Sequence, residues 1–239
     1  KYEEAYLVHQ VGGKVYKTKL STLRGDRENL DGTISNKLRL WQNHDFKPNR
    51  EDILQERLYC VQWMRPKKLG KSYDYEFRSV TDDDIKRERI VEDYVEKHIV
   101  KWQGAGWLPD MRIEVGGPPR YQGLDLVRAR GWTHWQHLFA PRQLLVGALI
   151  RSAVTAHTAL GMTTFLNCNS KLSRWHPGRD YVAETFDNQA LNTLFNYACQ
   201  SFTYGSRYFS DRFFSYPVAG QYCLSSQLAN EHRPHCDIY

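Results

Sequence analysis

Apolar and polar positions alternate along residues 4–20. Tyr6, Val8 and Gln10 are set against Leu7 and His9, and Val15, Tyr16 and Thr18 continue beyond Gly12-Gly13. Alternation on both sides of two glycines predicts a hairpin, because Gly-Gly supplies the positive φ angles of a two-residue turn. Residues 21–56 lose this order. They are polar, mixed in charge and interrupted by Gly25, Gly32 and Pro48, which predicts a long, mobile loop or excursion. Two further β-rich runs, Leu58 to Met64 and Tyr73 to Val80, flank the basic turn Pro66-Lys67-Lys68-Leu69-Gly70-Lys71 and predict a second hairpin.

The period then changes. From Thr81 to Gly104, Ile90, Val91, Tyr94, Val95, Ile99 and Trp102 recur at spacings of three and four, which predicts a helix with one buried face. Thr81 followed by Asp84 reads as a capping box, and Asp82, Asp83 and Asp84 suit the positive end of the helix dipole. Residues 104–135 are rich in Gly and Pro and predict irregular chain, with Pro109, Pro118 and Pro119 excluding a long helix. Pro141 opens a second predicted helix carrying Leu144, Leu145, Ala148, Leu149, Val154 and Leu160, with small residues such as Gly147 permitting close packing. A third predicted helix starts near Asp187 and carries Ala190, Leu191, Leu194, Phe195 and Ala198. The tail reads as strand, turn, strand, from Gln221-Tyr222-Cys223-Leu224 to Asp237-Ile238-Tyr239.

These elements predict a mixed α/β (α+β) fold in four regions. Residues 1–80 form a β-rich hairpin region, 81–135 a helix plus an irregular segment, 136–217 a helical region, and 218–239 two strands of a partial sheet. Lys1 begins the chain without Met or a signal-like run, and the last three residues read as the start of a buried strand; both are expected of an internal segment of a larger protein.

Composition adds a partner class. The 33 basic residues outnumber the 27 acidic ones, for a net charge of +6, and aromatic residues make up 13% of the chain. With an isoelectric point near 9.0, this favours a polyanion, nucleic acid first. The five cysteines, Cys60, Cys168, Cys199, Cys223 and Cys236, are odd in number and widely spaced. They fit reduced thiols in the cytoplasm better than a disulfide framework. The longest strongly apolar run, Leu144 to Ile150, is too short for a bilayer, so no membrane role is expected.

Basic and aromatic residues interleave at three places. Lys171, Arg174, His176 and Arg179 surround Trp175 and Tyr181, the pattern of a phosphate-contacting loop with a ring for stacking. The same pattern fits a surface turn whose Trp is core. Arg207 and Arg212 lie among Phe202, Tyr204, Tyr208, Phe209, Phe213, Phe214 and Tyr216; packing explains most of those rings, and the two arginines are phosphate candidates. Arg142 sits in the first turn of the helix opened by Pro141, where an anion is favoured, and pairing with a nearby carboxylate is the alternative.

Three stretches are more specific. Gly131 to Leu145 reads GWTHWQHLFAPRQLL, Asn169 to Pro177 reads NSKLSRWHP, and Thr185 to Leu191 reads TFDNQAL. In this order they resemble the large bacterial DNA methylases described as adenine-specific and associated with anti-phage defence. The resemblance covers residues 58–239 well and residues 1–57 poorly. It implies an S-adenosylmethionine-dependent DNA adenine-N6 methyltransferase, working with DNA and with other phage-defence proteins in the cytoplasm. In such enzymes a glycine-rich cofactor loop lies upstream of this region and a catalytic Asp-Pro-Pro-Tyr motif downstream. Residues 221–239 resemble the two strands before that motif, and Ser225 and Ser226 would contact the adenosine moiety of the cofactor. The resemblance thus implies DNA engagement and support of the methylase sheet by a fragment inactive alone. Family members often carry a zinc ribbon near the first hairpin. Here that position holds only Val11-Gly12-Gly13-Lys14, and no metal is expected. A non-enzymatic nucleic-acid-binding module and a fragment of an RNA methyltransferase are the alternative readings.

Overall fold

The computed structural model describes residues 6–66, 73–114, 122–154, 159–176, 181–186, 191 and 193–200. Helices alternate with four separate two-stranded antiparallel sheets among these residues, so the fold mixes α and β. The chain divides into two compact units. One comprises Lys1–Val100 with Asp110–His137, the other Lys101–Pro109 with Leu138–Tyr239.

In the first unit, β1 (Tyr6–Val11) pairs with β2 (Lys14–Lys19) in the register Tyr6↔Lys19 through Val11↔Lys14. Gly12 and Gly13 make the turn at φ 54° and 77°, as the Gly-Gly pair predicts. A short helix α1 (Leu20–Arg24) and a two-residue pair, β3 (Arg27–Glu28) with β4 (Ile34–Ser35), follow. The second predicted hairpin is β5 (Cys60–Pro66) with β6 (Tyr73–Ser79).

Helix α2 (Asp82–Gly104) begins as its cap residues dictate. The Asp84 N–H donates to Thr81 Oγ1 at 3.3 Å, and the Thr81 N–H and hydroxyl donate back to Asp84 Oδ2 at 3.0 and 2.7 Å. Asp thus does the work usually given to Glu in a capping box. The buried stripe is narrower than the periodicity predicts. Val95, Ile99 and Trp102 are buried, whereas Ile90 and Tyr94 are exposed. Ile90 lies about 140° around the helix from Val95 at the ordinary helical pitch, too far to share its face.

The segment 21–56 is loop over most of its length, and its polar residues bind one another. Arg39 grips Asp52 with two bonds, Nε to Oδ1 and Nη2 to Oδ2, each 2.8 Å, and its Nη1 reaches Asp45. The Asn49 N–H also donates to Asp52 Oδ2 at 2.8 Å. The hydrogen bonds from Arg39 hold the Asp52 carboxyl below the usual carboxylate range. This bracket delivers Trp41 and Phe46 to the interior, where both are buried. The polar residues satisfy one another around two apolar anchors.

The region 104–135 also departs from expectation, since it contains helix α3 (Gln122–Arg130). The prolines exclude a long helix but leave room for nine residues beyond the last of them. Gly131 ends α3 at φ 74°. Its N–H donates to the Val127 carbonyl at 2.7 Å and its own carbonyl accepts from the Trp41 N–H at 2.8 Å. A Cβ at this position would run into the carbonyl oxygen of Arg39.

In the second unit, the predicted helix from Pro141 is two helices, α4 (Pro141–Ala153) and α5 (Ala159–Asn167). Val154 is already extended (φ −74°, ψ 129°), so the α4 ladder stops before Leu160. The two helices approach at Gly147, where a Cβ would lie 3.5 Å from Leu166. Leu144, Ala148, Phe165, Leu172, Val182 and Ala183 are buried. Residues 191 and 193–200 carry no helix, so the predicted third helix is absent over its described part. Its remainder, and the predicted strands of 218–239, lie outside the described residues.

Gly131→Ala combines a positive φ with a clash against rigid backbone. It is expected to lower stability by about 2 kcal/mol or more, read as a lower midpoint in urea unfolding. An unchanged midpoint would show that the close approach of segment 39–41 is not maintained in solution.

Candidate functional site

The stretch from Gly131 builds a lock in the first unit. Trp41 packs edge-on against Trp132 and His137, with ring centroids 6.3 and 5.2 Å away. Burying this indole carries the carbonyls of Trp41, Gln42 and Asn43 inward with it, and each finds a donor. The Thr133 hydroxyl donates to the Trp41 carbonyl, His137 Nε2 lies 2.9 Å from the Gln42 carbonyl, and Gln136 Nε2 donates to the Asn43 carbonyl and, at 2.8 Å, to its Oδ1. His137 Nδ1 accepts the backbone N–H groups of Thr133 and His134 at 3.1 and 3.2 Å. Only the neutral tautomer with its proton on Nε2 can make all these bonds.

His134 is half-buried beside this lock. Its Nδ1 lies 2.8 Å from Thr133 Oγ1, and its ring stands edge-on to His137 at 5.4 Å. Because the Thr133 hydroxyl already donates to Trp41, it accepts from His134 Nδ1–H. Burial lowers the His134 pKa below its ordinary value, Arg112 and His44 add to the effect, and Asp110 opposes it.

The other stretches meet in the second unit. The Lys171 N–H donates to the Leu138 carbonyl at 2.7 Å, joining the loop after α5 to the entry of α4. Gln143, in the first turn of α4, accepts from the Ala140 N–H at 2.8 Å through Oε1 and donates to Asn169 Oδ1 at 3.2 Å through Nε2. Ala140 has no side chain to complete a capping box, so Gln143 supplies half of one and spends its other end on the loop. Asn169 Oδ1 also accepts the Gln200 N–H at 3.1 Å. A hydroxyl cluster lies alongside. Ser170 Oγ and Ser173 Oγ stand 2.8 and 3.2 Å from Thr185 Oγ1, which donates to the Asn167 carbonyl at 2.7 Å. Gln143, Asn169, Ser170 and Ser173 are all buried. The runs that begin at residues 131, 169 and 185 therefore contribute side chains to one hydrogen-bonded knot.

The predicted phosphate contacts divide around that knot. Arg174 is exposed, and Trp175 and His176 are half-buried in β7 (Trp175–His176), which pairs with β8 (Tyr181–Val182). The Ala183 N–H donates to the Arg174 carbonyl at 2.8 Å and continues the pairing. Arg142 is half-buried in the first turn of α4. Lys171 differs from the solvent-facing cation expected there: it is only 1% exposed, because its backbone is drawn inward to Leu138. Arg179, Arg207, Arg212, Ser225 and Ser226 lie outside the described residues. Among the described residues, no three His, Cys, Asp or Glu side chains gather to hold a metal ion, and no helix is long and apolar enough to cross a membrane.

Sequence reasoning missed Thr133, Gln136, His137, Asn167, Ser173 and Thr185 as the residues that organise these places. The available signal was the density of short hydrogen-bonding side chains flanked by apolar ones, a composition that suits buried polar networks. No protein-family profile, curated protein or solved structure matches the chain.

Two outcomes follow from these networks. Neutral His134 contributes stability that is present above its ordinary pKa of 6.5. That contribution is lost as pH falls toward the depressed native value, because the unfolded chain takes up the proton first. Melting temperatures measured from about pH 7.5 down to about pH 5 should fall less steeply in His134→Gln than in the wild type, and equal slopes would remove His134 from the response. Asn169→Leu strands the buried Gln200 N–H and leaves Gln143 Nε2 only its bond to the Ala198 carbonyl. It should cost at least about 2 kcal/mol in urea unfolding, and a cost near zero would show that the knot is dispensable.

Proposed function

We propose that this chain is an internal segment of an S-adenosylmethionine-dependent DNA adenine-N6 methyltransferase of phage defence, contributing scaffold and DNA engagement. What carries the reading is the convergence of residues from the three resemblance-bearing stretches. Leu138 and Gln143 from the first, Asn169, Ser170, Lys171 and Ser173 from the second and Thr185 from the third are tied together by hydrogen bonds. Separate stretches that share a family pattern and also share one buried network are what a common architectural role would produce.

On this reading the knot is the support and the β7–β8 hairpin is the contact. Arg174 stands exposed at the hairpin's start, with Trp175 and His176 beside it. A guanidinium there can take a phosphate oxygen, and the neighbouring indole offers a face to a base or sugar. Methylating an adenine amino group requires the base to leave the duplex, so positive groups beside the reaction chamber must hold the backbone while the base is out. The strands read at residues 221–239 would extend the methylase sheet toward the catalytic tetrapeptide. Ser225 and Ser226, assigned to the cofactor by resemblance, lie in that part, and no cofactor role is drawn for any described residue.

The complete gene product, expressed in a host lacking adenine methylation, should leave N6-methyladenine in cellular DNA, detectable by mass spectrometry of nucleosides. Its absence under conditions where the protein is soluble would sink the methyltransferase reading. In fluorescence anisotropy with duplex DNA, Arg174→Ala should weaken binding several-fold and reduce the slope of log K against log salt by about 0.9, one phosphate contact. Unchanged binding would remove the hairpin from the DNA surface.

A further inference from the structure

We infer that the ribbon formed by β1 and β2 is a nucleic-acid contact arm that engages the phosphate backbone of a duplex. The resemblance is poor over these residues, and the proposal stands apart from the methyltransferase reading. It rests on three observations about the ribbon itself.

The first is the charge. Between Tyr6 and Lys19 no Asp or Glu occurs, while Lys14 and Lys17 are exposed cations of the ribbon and His9 lies among them; Arg24, beyond it, is paired with Asp26 at 2.8 Å. The other long hairpin differs. In the strands of β5–β6, Glu76 pairs with Arg78 at 2.9 Å and with Arg65 at 3.3 Å, so the two strand arginines share a carboxylate. The first ribbon holds no acid that could balance Lys14 and Lys17.

The second is the exposure. Tyr6, Leu7, Val8, Val11, Val15 and Tyr16 are between 47% and 58% exposed, although all belong to regular strands. The described strands pair β1 only with β2. An isolated two-stranded hairpin is marginal in water, so a ribbon of this kind gains order from what it docks on.

The third is the distribution over the two faces. Opposed residues share a face, so Val8, Val15 and Lys17 lie on one side and Val11, Lys14, His9 and Tyr16 on the other. A bilayer or a flat protein surface covers one face and calls for apolar residues gathered there. Here each face mixes apolar residues with a cation. A groove bounded on both sides by phosphates accepts cations from both faces, and a two-stranded ribbon fits a major groove about 12 Å wide. At about 3.4 Å per residue, the six-residue strands reach about 20 Å, enough to lie along such a groove with the Gly12-Gly13 tip leading.

The test is anisotropy of a labelled duplex of about two helical turns, titrated with the wild type and with the double variant Lys14→Gln/Lys17→Gln. Both lysines are exposed, so the variant should fold normally, as circular dichroism can verify. The double variant should bind roughly tenfold more weakly at about 0.1 M salt, with its salt slope reduced by about 1.8. Unchanged affinity and slope would overturn the proposal. So would a wild-type dimer that Val8→Glu dissociates in sedimentation, because the ribbon would then join two copies. Loss of binding to phosphatidylserine vesicles in the double variant, with DNA binding intact, would assign the ribbon to lipid and also overturn it. Ribbon-dependent DNA binding in a protein that never methylates would sustain the inference while sinking the methyltransferase reading. Methylation with ribbon-independent binding would do the reverse.

Discussion

An indole cannot be buried without its peptide backbone. Trp41 enters the interior of the first unit from a segment outside any helix or strand, so the carbonyls around it lose water and gain no ladder in return. Leaving even one of them unpaired would offset much of what burying the ring contributes. Thr133, Gln136 and His137 remove that penalty carbonyl by carbonyl, while the Trp41 N–H is taken by Gly131. Residues 133–137 thus supply one side-chain donor to each carbonyl of segment 41–43. The second unit meets the same constraint with Asn169, whose single carbonyl oxygen gathers donors from Gln143 and Gln200.

Seen this way, the residues that look most like chemistry in the sequence are mainly architecture. His137 lies in a run dense in Trp and His, and it is fully occupied by three backbone groups. Lys171 suggests a phosphate contact, yet its position is fixed by Leu138 and its side chain is buried. Exposed cations lie elsewhere, Arg174 at the edge of one hairpin and Lys14 and Lys17 on another.

Much of the local structure was legible because short-range rules governed it. Gly12-Gly13 marked a turn, Thr81 with Asp84 marked a helix start, and Pro141 marked another, and each is where the pattern put it. The failures have a common cause, which is that distant partners decided the outcome. Residues 39–52 are loop, as they read, but nothing local reveals that Arg39 clasps Asp45 and Asp52 within it. Leu160 continued a helical period, but Val154 is extended and the ladder ends there. Residues 193–200 carried a helical pattern, yet the Gln200 backbone is committed to Asn169 and the Ala198 carbonyl to Gln143. Of the candidate site, the exposed cations were legible as cations, and the buried network beneath them was not, because its members are common polar residues whose meaning comes only from proximity.

The contact between Gly131 and segment 39–41 has a consequence for how such a chain can diverge. Position 131 has no room for a Cβ while the Arg39 carbonyl faces it, and that carbonyl is held there by the insertion of Trp41. Neither side can drift alone. A descendant that replaced the glycine would have to rebuild the opposite strand of chain in the same step, so these two places, some ninety residues apart, should change together or stay as they are.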